Sequence, residues 1–125
     1  MTGPIVYIDS SEILDGKLNE VKAALEELVK FVDANEPQLI SYNVFLNAEG
    51  TRMTFVAIHP DSASVKLHMD VGEPEFRKFR GLIRLLTIDV FGDVSESAME
   101  RLNQKARMLG SGTVTAHKLY AGFSR

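Results

Sequence analysis

The chain has 125 residues, no cysteine and no tryptophan, with 45% hydrophobic and 25% charged residues and a net charge of −3. That length makes one domain, burying roughly two-thirds of its unfolded surface, and the missing thiols exclude disulfides and thiolate metal sites. The negative balance gives no general attraction to nucleic acid, and no window approaches the roughly 18 apolar residues of a membrane span. Met1-Thr2-Gly3-Pro4 lacks the basic start and long apolar run of a signal peptide. The reading is a single domain over residues 1–125, soluble and cytoplasmic, with neither membrane nor nucleic acid as partner.

In chain order, Ile5 to Ile8 reads as a first strand, β-branched and aromatic. Asp15 is placed to cap the helix that follows. Leu18, Val21, Leu25, Leu28 and Val32 recur at spacings of three and four, with Glu20, Lys22, Glu26, Glu27 and Lys30 mostly on the opposite face. Asn35-Glu36-Pro37 ends that helix, because proline disfavours helical geometry in the residue before it. Gln38 to Asn47 and Thr51 to Ile58 flank Ala48-Glu49-Gly50 and read as a β-hairpin. His59-Pro60-Asp61 is a turn whose aspartate caps a helix from Ser62. That helix is predicted to break near Gly72 and resume after Pro74. Leu85 to Phe91 is a fourth strand. Asp93 with Glu96 resembles a capping box for a helix over Ser95 to Leu109, Gly110-Ser111-Gly112 closes it, and Thr113 to Tyr120 is a last strand.

Both faces of the hairpin strands carry apolar residues. Ile40, Tyr42, Val44 and Leu46 share one face of the first, while Leu39, Ser41, Asn43 and Phe45 share the other. The helices cover only one face of such a sheet. A second apolar face left in water is what soluble monomers avoid, so the pattern predicts a sheet-to-sheet homodimer.

Pro37-Gln38-Leu39-Ile40-Ser41-Tyr42, and Ala57 through His68 with its acidic turn, alanine and helix histidine, resemble the antibiotic-biosynthesis-monooxygenase-like family. The resemblance implies an α+β, ferredoxin-like βαββαβ protomer, here with an extra C-terminal helix and strand, forming a dimeric α/β barrel whose last strand reaches to the partner. It also implies a cleft between sheet and helices. In that cleft some members oxidise phenolic or quinone-forming substrates with dioxygen and no cofactor. Where many members carry a tryptophan before the second helix this chain has His59, which argues against the haem-degrading chemistry of other members.

His68 matches the family's helix histidine and is the candidate catalytic base, since a neutral imidazole accepts a proton near neutrality. Tyr42, His59, Phe55 and Leu67 are the candidate substrate-binding residues. His68 also has a structural reading as a half-buried helix histidine bonded to a backbone carbonyl, and Tyr42 one as a core tyrosine with its tip at the edge. Asp89, in mid-strand, needs a partner if buried, and His117 on the last strand is one. His59, Asp61 and His68 match no metal-ligand spacing, and Asp61 is explained as a cap, so no metal is expected. In Phe76-Arg77-Lys78-Phe79-Arg80 the phenylalanines with Ile83 read as a buried stripe and the cations as a solvated face. The functional expectation is a small cofactor-independent monooxygenase-like enzyme acting on an aromatic or enolisable small molecule. The alternative is a non-catalytic ligand-binding or structural homodimer, with a haem-binding module behind both.

Overall fold

In the computed structural model, which describes residues 3–125, strand β1 (Ile5–Ile13) is longer than its apolar start. Its burial alternates strictly, with Ile5, Tyr7, Asp9, Ser11 and Ile13 turned toward the helices. The helix α1 (Leu18–Asn35) follows, burying Val21, Leu25, Leu28 and Val32 as its periodicity requires. Asp15 does not cap it. A turn with Gly16 at φ +76° moves the start two residues on, and Lys17 stands at the N-cap with no side-chain bond.

The hairpin is β2 (Ser41–Leu46) and β3 (Arg52–His59), closed by Asn47, whose Oδ1 accepts from Thr51 N and Arg52 N at 2.9 Å each. Asp61 caps α2 (Ser62–Arg77), its carboxylate accepting from Ser64 N at 2.9 Å. The predicted break at Gly72 is absent, and α2 runs through both Gly72 and Pro74. Gly72 is there for packing: a Cβ at this position would lie 2.5 Å from Phe76 Cζ, whose ring covers the helix backbone.

Strand β4 (Ile83–Phe91) leads into α3 (Glu96–Met108) and β5 (Gly110–His117). The cap of α3 is Ser95, accepting from Ala98 N at 3.2 Å, in place of the expected Asp93–Glu96 box. Gly110 and Gly112 belong to β5 instead of ending a helix. A Cβ on either would come within about 3 Å of the Leu85 carbonyl oxygen, so close approach to β4 requires glycine at both.

The sheet order is β2-β3-β1-β4-β5, antiparallel except for the parallel β4–β5 edge. The first four strands with α1 and α2 are the ferredoxin-like βαββαβ unit, and α3 and β5 extend it. β5 pairs with β4 of its own chain, and residues 118–125 leave the sheet with Leu119, Tyr120 and Phe123 exposed. A one-residue bulge at Leu86 lets Leu85 and Ile88 both face the helices. All three helices pack on one face. The other carries the rows Asn43–Val56–Ile8–Asp89–Thr115 and Ser41–Ile58–Val6–Phe91, uncovered by any helix or strand among the described residues. No helix among the described residues is long and apolar enough to cross a membrane.

Candidate functional site

The helix-covered face of the sheet buries an unusual number of polar side chains. Period-two alternation along β1 turns Asp9 and Ser11 inward with Tyr7. Lys105 joins them from α3, where spacings of four, three and four place Ala98, Leu102, Lys105 and Leu109 on one stripe. Lys105 Nζ donates to Asp9 Oδ2 at 3.0 Å and to Tyr7 Oη at 2.9 Å, and the Tyr7 hydroxyl donates to the same carboxylate oxygen. The ammonium also sits over the Phe76 ring, 4.3 Å from its centroid, a cation–π contact in the interior. Burial, with the Asp9 carboxylate beside it, holds the Tyr7 phenol well above its ordinary range, so it stays protonated.

A second cluster also borders Phe76, whose ring centroid lies 5.2 Å from that of His68. His68, on the inner face of α2, meets Glu36, the residue that follows α1. Both Glu36 oxygens are 2.8 Å from His68 Nδ1, and both side chains are buried. A carboxylate only accepts, so the Nδ1 proton donates to Glu36 and the Nε2 lone pair is left available. Burial pushes the His68 pKa below its ordinary value, opposed by the Glu36 hydrogen bond and charge. The ring is therefore neutral at neutral pH. Gln38 Nε2 donates to Ser64 Oγ at 3.3 Å, and Ser64 Oγ lies 2.8 Å from His59 Nδ1. His59 is fully buried, with its pKa lowered to about 3 chiefly by burial and then by the neighbouring His68.

Tyr42 stacks on Phe55 at 5.2 Å and meets the edge of His68 at 5.1 Å. His59 and His68 are 5.5 Å apart between ring centroids. The structure thus gathers His68, Tyr42, His59 and Phe55, while Leu67 lies outside the group on the outer face of α2, 44% exposed. Four buried polar atoms have no partner among the described residues: Asp9 Oδ1, Ser11 Oγ, Tyr42 Oη and His59 Nε2. Such atoms cost about 1–3 kcal/mol each when left dry, which makes them places where water or a ligand group belongs. Burial raises the Tyr42 pKa, so its hydroxyl remains a donor.

Space at the site is divided. Beside Asp9, Ser11 and Lys105 the interior holds a void of about 10 Å³, the volume of one water at most. The open cleft expected between sheet and helices is closed there by Phe76, Phe79, Leu85 and Leu109. A depression of about 250 Å³ opens between the end of α1 and β2, with Glu36 and Tyr42 in its wall. Among the described residues no three histidine, aspartate or glutamate side chains are grouped as metal ligands.

Glu36, Asp9, Ser11, Tyr7 and Lys105 are members the motif-based reading missed. The signal for Asp9 and Ser11 was the alternation continuing to Ile13, and for Lys105 the apolar stripe of its helix. Asp89, the carboxylate on the open face, does accept from His117 Nε2 at 2.8 Å.

No protein-family model matches the sequence, and no curated protein sequence matches it significantly. Solved structures do match. MupZ from Pseudomonas fluorescens superposes with a TM-score of 0.75 at 16% identity, covering 98% of this chain and 95% of that one. A match that long takes in α3 and β5. A Caulobacter crescentus protein provisionally assigned as an antibiotic biosynthesis monooxygenase has a TM-score of 0.66 at 17% identity, covering 75% of this chain and 92% of that one. SnoaB, a cofactor-independent oxygenase from Streptomyces nogalater, has a TM-score of 0.62 at 12% identity, covering 74% of this chain and 94% of that one. These likenesses and the ferredoxin-like topology agree: the chain has the fold of the antibiotic-biosynthesis-monooxygenase-like proteins.

Proposed function

We propose that this chain is a small-molecule enzyme that removes a proton from an electron-rich aromatic or enolisable substrate and lets dioxygen oxidise the resulting anion without a cofactor. The observation that carries the reading is the Glu36–His68 pair: a neutral imidazole, oriented by a buried carboxylate, with its ring edge-on to Tyr42, whose hydroxyl has no partner among the described residues. This is the base-plus-orienting-group arrangement of many proton-transfer sites. His68 Nε2 takes a proton from an activated CH₂ or its enol. Tyr42 donates to the oxygen on which negative charge develops. The carbanion gives one electron to dioxygen, and the radical pair joins as a C–O bond, with the imidazolium returning its proton to the hydroperoxide. Loss of the second C–H proton with O–O cleavage leaves a ketone and one water. The CH₂ carbon loses four electrons and one O₂ gains four, so no reductant is required. The depression between α1 and β2 is the route in, and His59 and Phe55 form the inner wall.

The protein works as a homodimer in which two open sheet faces cover each other. Val6, Ile8, Val56 and Ile58, with Phe45 58% exposed and Phe91 39% exposed, form the apolar surface that supports this. It is a cytoplasmic protein in this reading. A second reading, a non-catalytic dimer of the same fold, draws on the closed interior beside Asp9 and Ser11.

A thermal-shift screen of phenols, anthrones and enolisable acids against the native protein and His68→Gln separates the two. A ligand at about a hundred times its dissociation constant adds roughly 2.7 kcal/mol, a rise of several degrees. A rise with an anthrone or phenol that His68→Gln diminishes supports the enzyme. No rise with any compound moves the account to the non-catalytic dimer.

A further inference from the structure

The extension that follows the ferredoxin-like unit creates a second concavity, separate from the His68 cluster. β3 and β4 run the same way, both antiparallel to β1, and β5 is parallel to β4, so α2 and α3 also run the same way. Their N-terminal ends are tied together: Ser62 Oγ accepts from Ser95 N at 2.7 Å and lies 3.1 Å from Ser95 Oγ. Further along, Arg101 Nε donates to Asp70 at 2.7 Å. Beyond that bridge the helices part and leave a groove of about 720 Å³, within the range of small-molecule sites.

The groove has an apolar floor and a cationic rim. Met69 and Phe76 are buried beneath it, with Met108 at its side. Five cationic side chains line it against two carboxylates, and because Lys105 is already paired with Asp9 behind the groove, two positive charges are left uncompensated on a chain whose net charge is −3. Both carboxylates are engaged, Asp70 by Arg101 and Glu73 by Arg77. Arg80 and Arg107 are exposed and pair with no carboxylate among the described residues. Cations in the last turns of α2 and α3 complement the helix ends. That accounts for Arg77 and Arg107, but for neither the cavity nor Arg80, which lies beyond the end of α2.

We infer that this groove binds a small organic acid, with the apolar body of the ligand on Met69, Phe76 and Met108 and its carboxylate held by the Arg80 and Arg107 guanidiniums. Guanidinium forks match carboxylate geometry. The helix ends here present carbonyls, not N–H groups, so there is no backbone cradle for a bare phosphate. The acidic character of the chain as a whole disfavours a polyanion. Phe76 and Lys105 line both this groove and the small void beside Asp9 and Ser11. A bound acid therefore sits one side chain away from the unpartnered Asp9 and Ser11 oxygens.

The test is isothermal titration of 2-naphthoate and its neutral amide into the native protein and into the Arg80→Gln/Arg107→Gln variant. Both arginines are exposed and unpaired, so the variant is expected to keep its circular dichroism and midpoint. The expected result is that naphthoate binds at least about tenfold more tightly than the amide, and that the variant loses at least about tenfold for naphthoate. Methyl NMR of the native protein should show Met69 and Met108 shifting with naphthoate, which locates the site without any substitution. Equal binding of acid and amide, an unchanged variant, no shift at the two methionines, or equal competition by inorganic phosphate or a short single-stranded oligonucleotide would each overturn the proposal. None of these readouts uses turnover, and His68→Gln should bind naphthoate as the native protein does. Failure of the oxygenase reading is therefore distinguishable from failure of this one.

Discussion

Replacing Lys105 by methionine asks what the buried ionic cluster is for. Asp9 is 1% exposed and Lys105 7% exposed, so their charges are held in the interior. Asp9 Oδ1 already has no partner, and without the ammonium the carboxylate would keep only the Tyr7 hydroxyl. Breaking a buried pair from one side costs about 3–5 kcal/mol. For 125 residues an unfolding entropy of roughly 2.1 cal/mol/K per residue makes 1 kcal/mol worth about 4 °C, so Lys105→Met should lower the midpoint by about 12–20 °C. Removing the three bonded partners together, as Tyr7→Phe/Asp9→Leu/Lys105→Met, strands no charge and no phenol, and the Ser11 hydroxyl is as unpartnered as before. Such apolar replacements are often neutral or stabilising, so the triple variant should lie within about 2 kcal/mol of the native protein. Urea unfolding followed by circular dichroism measures both. A Lys105→Met cost under about 1 kcal/mol, or a triple variant less stable than the single one, would refute the reasoning. Recovery in the triple variant would mean that stability is not what keeps these groups inside.

Other expectations follow from the same geometry. Unfolded histidine takes up its proton near pH 6.5 and folded His59 only near 3, so the unfolded state binds more protons between these values. Stability is full above about pH 6.5 and falls on acidification by about 1.4 kcal/mol per pH unit from His59, more with His68, whose pKa is also lowered. Unfolding titrations from pH 7 to 4 should show this slope reduced by about one proton in His59→Gln, and an unchanged slope would contradict the burial assigned to the ring. Gly72→Ala improves helix propensity by about 1 kcal/mol but drives a methyl into the Phe76 ring, so a net loss of about 1–2 kcal/mol is expected in urea unfolding. If the proposed dimer forms through the open sheet face, Val56→Lys should make the protein monomeric in analytical ultracentrifugation with the circular dichroism spectrum retained. A native protein that is already monomeric would contradict the covered-face reading.

Much of the fold was legible because long, strongly periodic segments encode it directly. The α1 stripe, the hairpin and the Asp61 cap all follow from spacing, and the order of elements yields the ferredoxin-like unit. Apart from the exposed Asp15 and Asp93, whose caps fell to neighbouring residues, the errors share a physical cause: polar residues and glycines were read as boundaries where tertiary packing makes them interior. Asp9-Ser10-Ser11-Glu12 looked like the end of a strand, yet every second residue is buried up to Ile13. Glu36 looked like punctuation before Pro37, yet its carboxylate faces His68. Gly72, Gly110 and Gly112 looked like breaks, yet each marks close packing against Phe76 or the β4 backbone. Of the candidate residues, His68, His59, Tyr42 and Phe55 lie together in the fold, while Leu67 lies on the outer face of α2. Spacing gave no hint of Glu36, because a partner 32 residues away in sequence is visible only once the chain is folded.

The most direct test of the account is oxygen uptake in cofactor-free buffer with an anthrone, comparing the native protein with His68→Gln and Glu36→Gln. The account predicts one O₂ consumed per ketone formed, with kcat reduced about 10²–10⁴-fold in His68→Gln. A smaller loss is expected in Glu36→Gln, which removes the orienting charge but keeps a hydrogen-bonding side chain. Uptake by His68→Gln at the native rate, or none by the native protein with any activated methylene or phenol, would contradict it.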